Sequence, residues 1–199
     1  MDKHFVFNVL AFLFSAGTYV LYLIPIVRKK ETTKLSTWMA WLVMDSAILF
    51  MMVKEHKVSY QLVAYAIGCV VVLFVGWRIK AAAKWKSYDT ACMVLVAVAV
   101  LLWSVTGNSS LAVTIELIAM GVGSIPLFNH IWESPNPASP WAWLCNLIGA
   151  TFAVPAVEHW DMVGAAGPLV FLILSVIFNT AVLRTHRNNK FLIKVLMLD

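Results

Sequence analysis

The sequence predicts an all-α integral membrane protein of seven transmembrane helices, arranged as two parallel three-helix bundles joined by a linker helix. Three observations support this fold class. The chain of 199 residues is 61% hydrophobic and only 13% charged, which is more apolar than a water-soluble domain of this size needs to be. It contains seven long apolar runs. In addition, a stretch near its beginning has a loose copy later in the chain.

Most of the apolar runs approach the roughly 20 residues that a helix needs to cross about 30 Å of hydrocarbon. They are continuously apolar and too long for the alternating segments of a β-barrel, so helices are the predicted spans. The first run is too long for a signal peptide and lacks a cleavage site, so we expect it to stay in the mature protein. The runs are 5–27, 35–53, 58–77, 90–105, 110–131, 141–157 and 162–183.

An internal repeat relates the first half of the chain to the second. In each copy an apolar helix meets a proline, a polar loop follows, and a Trp-containing helix carries one polar residue at mid-depth. Pro25 pairs with Pro126 and Asp45 with Asn146, and both pairs are separated by 101 positions. This spacing predicts a duplicated membrane unit whose prolines and polar residues face one central path.

The repeat also predicts how the chain divides. The fourth run has no counterpart in the repeat, and an odd number of crossings must separate two units of the same orientation. We therefore interpret it as a linker. The predicted divisions are a first three-helix repeat at 1–86, a linker helix at 87–107, a second three-helix repeat at 108–184 and a cytoplasmic tail at 185–199.

The positive charges predict the orientation. Twelve of the 15 Lys and Arg residues fall in the loops after the first and third spans and in the tail. The positive-inside bias then places the amino terminus outside and the carboxyl terminus in the cytoplasm. The net charge of +5 is thus a topology signal rather than a sign of nucleic acid binding. The twelve are Arg28, Lys29, Lys30, Lys34, Arg78, Lys80, Lys84, Lys86, Arg184, Arg187, Lys190 and Lys194.

The candidate binding site lies at the bilayer midplane. Asp45 falls about ten residues, or roughly 15 Å, into the second span, where a charge costs a few kcal/mol. It must therefore face protein or water and find a partner, or be protonated. Trp41 precedes it by one turn, and Trp143 stands in a similar relation to Asn146. Tyr19 lies on a hydroxyl-bearing face of the first span.

Several other residues have two interpretations at this stage. Asn179 can cap neighbouring backbone or bind a ligand, and Glu116 can reach an external vestibule or take part in proton coupling. Trp38, Trp141 and Trp143 can line the site or act as anchors near the headgroups. The third span, which contains Tyr65, Gly68 and Cys69, carries no formal charge and is predicted to serve in packing.

Two stretches resemble the PQ-loop signature, namely YLIPIVRKKETTKLSTW and SIPLFNHIWESPNPASPW, although Ile26 and Leu127 stand where that signature has Gln. The seven-span layout is similar to that of the SWEET sugar transporters of the same clan. The resemblance implies hinges at Pro25 and Pro126.

In that clan two bundles rock about a central site that uses Trp and Asn from both. By position Trp41, Asp45 and Asn146 match this use, and Asn179 matches it approximately. Some PQ-loop members couple to protons through membrane carboxylates, a role that Asp45 or Glu116 would take here.

These observations favour a transporter that moves a small polar or ring-bearing solute by alternating access. Whether transport is coupled to protons is left open. The alternative is a ligand-binding receptor or sorting factor without transport, as the KDEL receptors are on a similar fold. A retinal protein is excluded, because no lysine lies between Lys86 and Lys190 to form the Schiff base. An enzyme is disfavoured, since no catalytic or metal-binding cluster is visible.

The predicted partners are the lipid bilayer and a small solute, without nucleic acid, metal or cofactor, and with homo-oligomerisation left open. The predicted location is the plasma membrane, or the inner membrane of a bacterium.

Overall fold

The computed structural model is all-helical over the residues that it describes, which are 2–28, 31–54, 56, 58–106, 109–133 and 140–196. The predicted all-α class is confirmed. The basic residues Lys29, Lys30 and Lys57 and the loop 134–139 of the second copy lie outside these ranges. The described helices are α1 (Lys3–Val27), α2 (Leu35–Lys54), α3 (Tyr60–Arg78), α4 (Ser87–Thr106), α5 (Ser109–Glu133), α6 (Pro140–Ala153) and α7 (Met162–Leu196).

Each predicted apolar run corresponds to one helix, and the boundaries agree within three residues except at the ends of α6 and α7. Helix α6 ends at Ala153, before the predicted end at 157, because Pro155 follows and a proline disfavours the helical conformation in the residue before it. Helix α7 continues to Leu196, so most of the predicted tail extends the last helix instead of forming a separate segment. After Pro168 the chain contains no proline or glycine to end the helix sooner.

The length and hydropathy of the helices indicate a multi-pass membrane protein. Among the described residues, five helices are long and apolar enough to cross a membrane: Lys3–Val27, Leu35–Lys54, Tyr60–Arg78, Val113–Glu133 and Met162–Thr185. The apolar part of α4, Ser87–Leu102, is shorter. Helix α6 has 14 residues, or about 21 Å at helical rise. Large apolar side chains face outward along the spans, as they would toward lipid; examples are Val20, Phe74 and Leu101, which are 63%, 62% and 66% exposed.

The helices pack in a reciprocal pattern. Helix α3 packs against both α1 and α2, and α7 packs against both α5 and α6. Helix α1 also packs against α6, and α2 against α5. Helix α4 lies mainly against α5, with a smaller contact to α2.

One end of the bundle, which we call the basic end, carries the loops 31–34 and 79–86 and the end of α5. The two loops pair through a short parallel bridge, in which the Thr33 amide donates to the Ala81 carbonyl at 2.9 Å and the Ala83 amide donates to the Thr33 carbonyl at 2.8 Å. The Lys34 ammonium donates to the Asp89 carboxylate at 2.8 Å, and both side chains are buried. These contacts hold the two loops together at this end.

Candidate functional site

A cavity of about 40 Å³, the central cavity, lies between α1, α2, α3, α6 and α7, with one side chain from α5. A single water needs about 10–15 Å³, so the cavity has room for only a few waters. Its walls are mostly aromatic. The lining residues are Thr18, Tyr19, Tyr22, Trp38, Trp41, Asp45, Tyr65, Met120, Trp143, Asn146, Phe171, Leu174, Ser175 and Phe178.

The structure brings five of the six predicted binding residues together around this cavity. They are Tyr19, Trp41, Asp45, Trp143 and Asn146. Asn179 lies outside the lining: its amide donates to the Trp143 carbonyl at 2.7 Å and to the Ser175 carbonyl at 2.8 Å. Of the two interpretations of Asn179, the structure shows the one in which it caps backbone.

Asp45 is nearly fully buried, with 2% of its surface exposed. One carboxylate oxygen accepts the Cys69 thiol at 3.7 Å, and the other has no hydrogen-bond partner among the residues that the structure describes. No lysine, arginine or histidine is among the described residues that line the cavity. The described lining of the cavity therefore contains one carboxylate and no positively charged side chain to pair with it.

A chain of hydrogen bonds runs along one wall of the cavity and joins α3 in the first half of the chain to α6 and α7 in the second half. The Gln61 amide donates to the Tyr65 hydroxyl at 2.8 Å, and that hydroxyl donates to Oδ1 of Asn146 at 2.9 Å. The Asn146 amide donates to the Ser175 hydroxyl at 2.7 Å, and Ser175 donates to the Phe171 carbonyl at 2.7 Å. The amide of Asn146 is thus fixed in orientation.

Helix α3 contributes polar groups to the candidate site that the sequence did not indicate. The expected packing role is present, because α3 packs against α1 and α2, but Tyr65 also lines the cavity and Cys69 bonds to Asp45. Neither residue carries a formal charge, and the position that corresponds to Tyr65 in the second repeat is Ala166. The signal that could have found them is the helical spacing of Gln61, Tyr65 and Cys69, which places three polar groups on one face.

Four aromatic side chains, which we call the aromatic closure, separate the cavity from the basic end. Trp143 and Phe178 stack with ring centroids 4.4 Å apart, and the rings of Tyr22 and Trp38 meet at 5.0 Å. The Thr33 hydroxyl bonds to the Tyr22 hydroxyl at 2.7 Å and accepts the Trp38 indole N–H at 2.7 Å. Thr33 therefore ties the closure to the paired loops of the basic end.

The tryptophans divide between the two interpretations left open by the sequence. Trp38 and Trp143 are 2% and 4% exposed, so neither is a headgroup anchor. Trp141 is 68% exposed and does not line the cavity, as an interfacial anchor would be placed.

The opposite end of the bundle contains a larger hollow, the vestibule, of about 520 Å³. It lies between the first turns of α1, α3 and α7 and the last turns of α2 and α6. Its described lining includes the carboxylates of Asp2 and Glu158 and the imidazoles of His56 and His159, but no lysine or arginine. The two ends of the bundle therefore differ: the basic end is packed shut and the opposite end is hollow.

The chain matches no protein-family model, no curated protein and no solved structure. The resemblance to the PQ-loop signature and to the SWEET layout consequently stays a prediction.

Glu116 is placed apart from both hollows. It is fully buried on α5 and lines neither the central cavity nor the vestibule. Within the described part of the chain, neither of its carboxylate oxygens has a hydrogen-bond partner. The structure does not place it in an external vestibule, which was one of its two interpretations.

The two prolines of the repeat lie inside helices, Pro25 in α1 and Pro126 in α5. A proline lacks the amide that would continue the ladder and clashes with the preceding turn. Next to Pro126, the Leu127 amide donates to the Thr37 hydroxyl of α2 at 3.1 Å. The backbone of α5 is thus bonded to α2 beside its proline.

Proposed function

We propose that this protein is a membrane transporter that moves a small polar or ring-bearing solute by alternating access. The observation that carries the proposal is the shared cavity: Asp45 and Asn146, which correspond in the repeat, line it together from α2 and α6. A site at the interface of two repeats, near the bilayer midplane, is typical of secondary transporters.

The packing of the helices supports two parallel three-helix bundles, 1–86 and 108–184, joined by α4. The repeat relates α1 to α5, α2 to α6 and α3 to α7. Under this exchange the α1–α6 contact becomes the α5–α2 contact, and both contacts exist. The contacts of α3 with α1 and α2 likewise become those of α7 with α5 and α6. Reciprocal pairs of this kind are what a twofold axis produces.

The difference between the two ends supports alternating access. The aromatic closure and the paired loops shut the path at the basic end, whereas the vestibule leaves the opposite end hollow. The positive-inside bias assigns the basic end to the cytoplasm. We therefore interpret the structure as a state that is closed to the cytoplasm, with Pro25 and Pro126 as the hinges about which the bundles rock.

Proton coupling has two candidate carboxylates, Asp45 and Glu116. Asp45 is favoured, because it lines the cavity where a solute would bind, whereas Glu116 lies outside it. In an exchange cycle a proton would occupy the Asp45 carboxylate when the solute has left, which avoids an uncompensated charge in the membrane.

The test is uptake by sealed proteoliposomes. A thermal-shift screen of sugars, amino acids and nucleosides identifies a stabilising compound, whose radiolabelled form is then used for flux. We expect Asp45→Asn to lower uptake or to remove its dependence on pH. The control is Glu133→Gln, which removes an exposed carboxylate whose pair with Lys86 is screened by solvent, so uptake should stay nearly unchanged. Wild-type uptake by Asp45→Asn at every pH would remove Asp45 from the mechanism.

The same experiment distinguishes a transporter from a receptor that binds its ligand without moving it across the membrane. A compound that stabilises the protein but does not cross the vesicle membrane with it would indicate a receptor or sorting factor.

A further inference from the structure

We infer that the solute is an organic cation, a small molecule with an ammonium group that Asp45 pairs with inside a cage of aromatic rings. This inference rests on the proposed function and names the chemical class that the same site takes.

The first support is the missing counter-ion. A buried carboxylate is tolerated only when it is paired, hydrogen-bonded or neutralised, and Asp45 has one weak thiol bond. The titratable groups that face it are neutral: the phenols of Tyr19 and Tyr65 and the thiol of Cys69. Of the described helices packed around the cavity, none contributes a positive side chain to its lining. When Asp45 is ionised, a positive charge that matches it would therefore come with the ligand, and when the site is empty a proton takes that place.

The second support is the aromatic wall. Eight of the 14 lining residues are aromatic, so ring faces rather than free hydrogen-bonding groups dominate the surface that a ligand meets. Indole and phenol faces attract cations through their quadrupoles, and aromatic cages recognise quaternary ammonium groups in this way.

The polar groups of the wall are largely occupied. The Tyr65 hydroxyl, the Asn146 amide and the Ser175 hydroxyl are bonded to one another. A sugar needs many free donors and acceptors, so this wall suits it poorly.

The third support is the charge of the vestibule. Asp2 and Glu158 line it, and the described lining contains no lysine or arginine, although Lys3 and Lys54 lie close by in the chain. A hollow lined by carboxylates raises the local concentration of cations and speeds their entry. The described lining of the vestibule, which also contains the imidazoles of His56 and His159, and the described lining of the central cavity thus both offer carboxylates to a cation.

The size of the cavity limits what fits in this state. With room for a few waters, it admits a group the size of methylammonium. A larger cation requires the rings to separate, and the stacked pair Trp143 and Phe178 is the contact that would open.

The experiment uses tetramethylammonium and benzyltrimethylammonium, which cannot lose a proton and so cross bilayers poorly unaided. Binding to the purified full-length protein is measured by calorimetry at constant ionic strength, with sodium chloride and glucose as comparison solutes.

We expect at least one of the two cations to bind, Asp45→Asn to weaken that binding at least tenfold, and Asp45→Glu to retain more of it. Trp41→Phe, which keeps a ring, should bind more tightly than Trp41→Leu. A melting temperature near that of wild type establishes that each variant is folded.

Flux of radiolabelled tetramethylammonium and of radiolabelled glucose into proteoliposomes separates the two proposals. Uptake of the cation that Asp45→Asn abolishes supports both. Cation binding that depends on Asp45, without flux of either solute, supports the cationic ligand and overturns transport. Uptake of glucose without cation binding overturns the cationic class and leaves transport standing. Absence of cation binding, or equal binding by wild type and Asp45→Asn, overturns the inference.

Discussion

The hydroxyl of Tyr65 donates to Oδ1 of Asn146 at 2.9 Å, across the boundary between the two halves of the chain. Helices α3 and α6 make few other contacts. The bond therefore joins the first half of the protein to the polar residue that the second half contributes to the cavity. It also fixes which face of the Asn146 amide a ligand meets.

Replacing Tyr65 with Phe should destabilise the protein and loosen Asn146. The change removes only the hydroxyl, leaving the Asn146 oxygen without its donor and the Gln61 amide without its acceptor. Buried groups left unpaired in this way cost about 1–3 kcal/mol each in soluble proteins and about 1 kcal/mol or less in membranes. We expect the free energy of unfolding to fall by about 1 kcal/mol, measured as a lower melting temperature in detergent.

The matched control is Tyr60→Phe, which removes the same atom from a half-exposed ring at the start of α3 and keeps the edge contact with Phe5. Equal melting temperatures for Tyr65→Phe and wild type would contradict a structural role for the bond.

The sequence could predict the site residues that carry a formal charge or that occupy corresponding positions in the two copies of the repeat. Asp45 is conspicuous because a mid-depth carboxylate is costly, and the 101-residue offset then points to Asn146. Tyr65 has neither a formal charge nor a polar counterpart in the second copy. Its importance depends on which face of α3 meets α6, a fact of packing that apolar periodicity does not contain.

The helix boundaries show a similar division. Continuous apolar runs located all seven described helices, and five of these are long and apolar enough to cross a membrane. The extension of α7 to Leu196 is not predicted by the apolar runs, because the polar and basic segment 184–190 interrupts the apolar pattern before FLIKVL at 191–196. The helix continues through this segment because no proline or glycine ends it.

Gly68→Ala should displace a cavity residue. A β-carbon at position 68 would collide with the ring of Tyr19, which lines the cavity. The ring is rigid and buried, so it must shift as a whole, and overpacking of this kind costs about 1–3 kcal/mol. We expect a lower melting temperature and weaker binding of any cavity ligand.

Gly121→Ala is the comparison, because a β-carbon there meets nothing within 4 Å. In a helix this change is neutral or stabilising by up to about 1 kcal/mol. A Gly68→Ala variant that behaves like Gly121→Ala would show that the helices separate easily at this contact.

Thr33→Val should loosen the aromatic closure. The substitution keeps the shape of the side chain but removes the hydroxyl that bonds to Tyr22 and Trp38. Each buried donor left without its acceptor favours states in which it reaches water, by about 1–3 kcal/mol. We expect Cys69, which is fully buried beside Asp45, to react at least about tenfold faster with a membrane-impermeant maleimide applied from the basic end.

Mass spectrometry of the labelled peptides distinguishes Cys69 from the two other cysteines. Thr180→Val serves as the control, because the Thr180 hydroxyl is exposed and donates to its own helix at the Val176 carbonyl. Unchanged labelling of Cys69 in Thr33→Val would show that the closure does not depend on this hydroxyl.

Replacing Glu116 with Leu should stabilise the protein without altering the site. The carboxylate is fully buried on α5, and neither oxygen has a partner among the described groups. An ionised carboxylate in such surroundings costs a few kcal/mol, which an apolar side chain of similar size removes. We expect a higher melting temperature at neutral pH, with ligand binding and the pH profile of uptake unchanged, because Glu116 lines neither the cavity nor the vestibule.

The control is Glu158→Gln, which removes an exposed carboxylate and should leave the melting temperature nearly unchanged. If Glu116→Leu instead shifted the pH profile of uptake while Asp45→Asn did not, the coupling proton would belong to Glu116, and the site would bind its solute without exchanging a proton at Asp45.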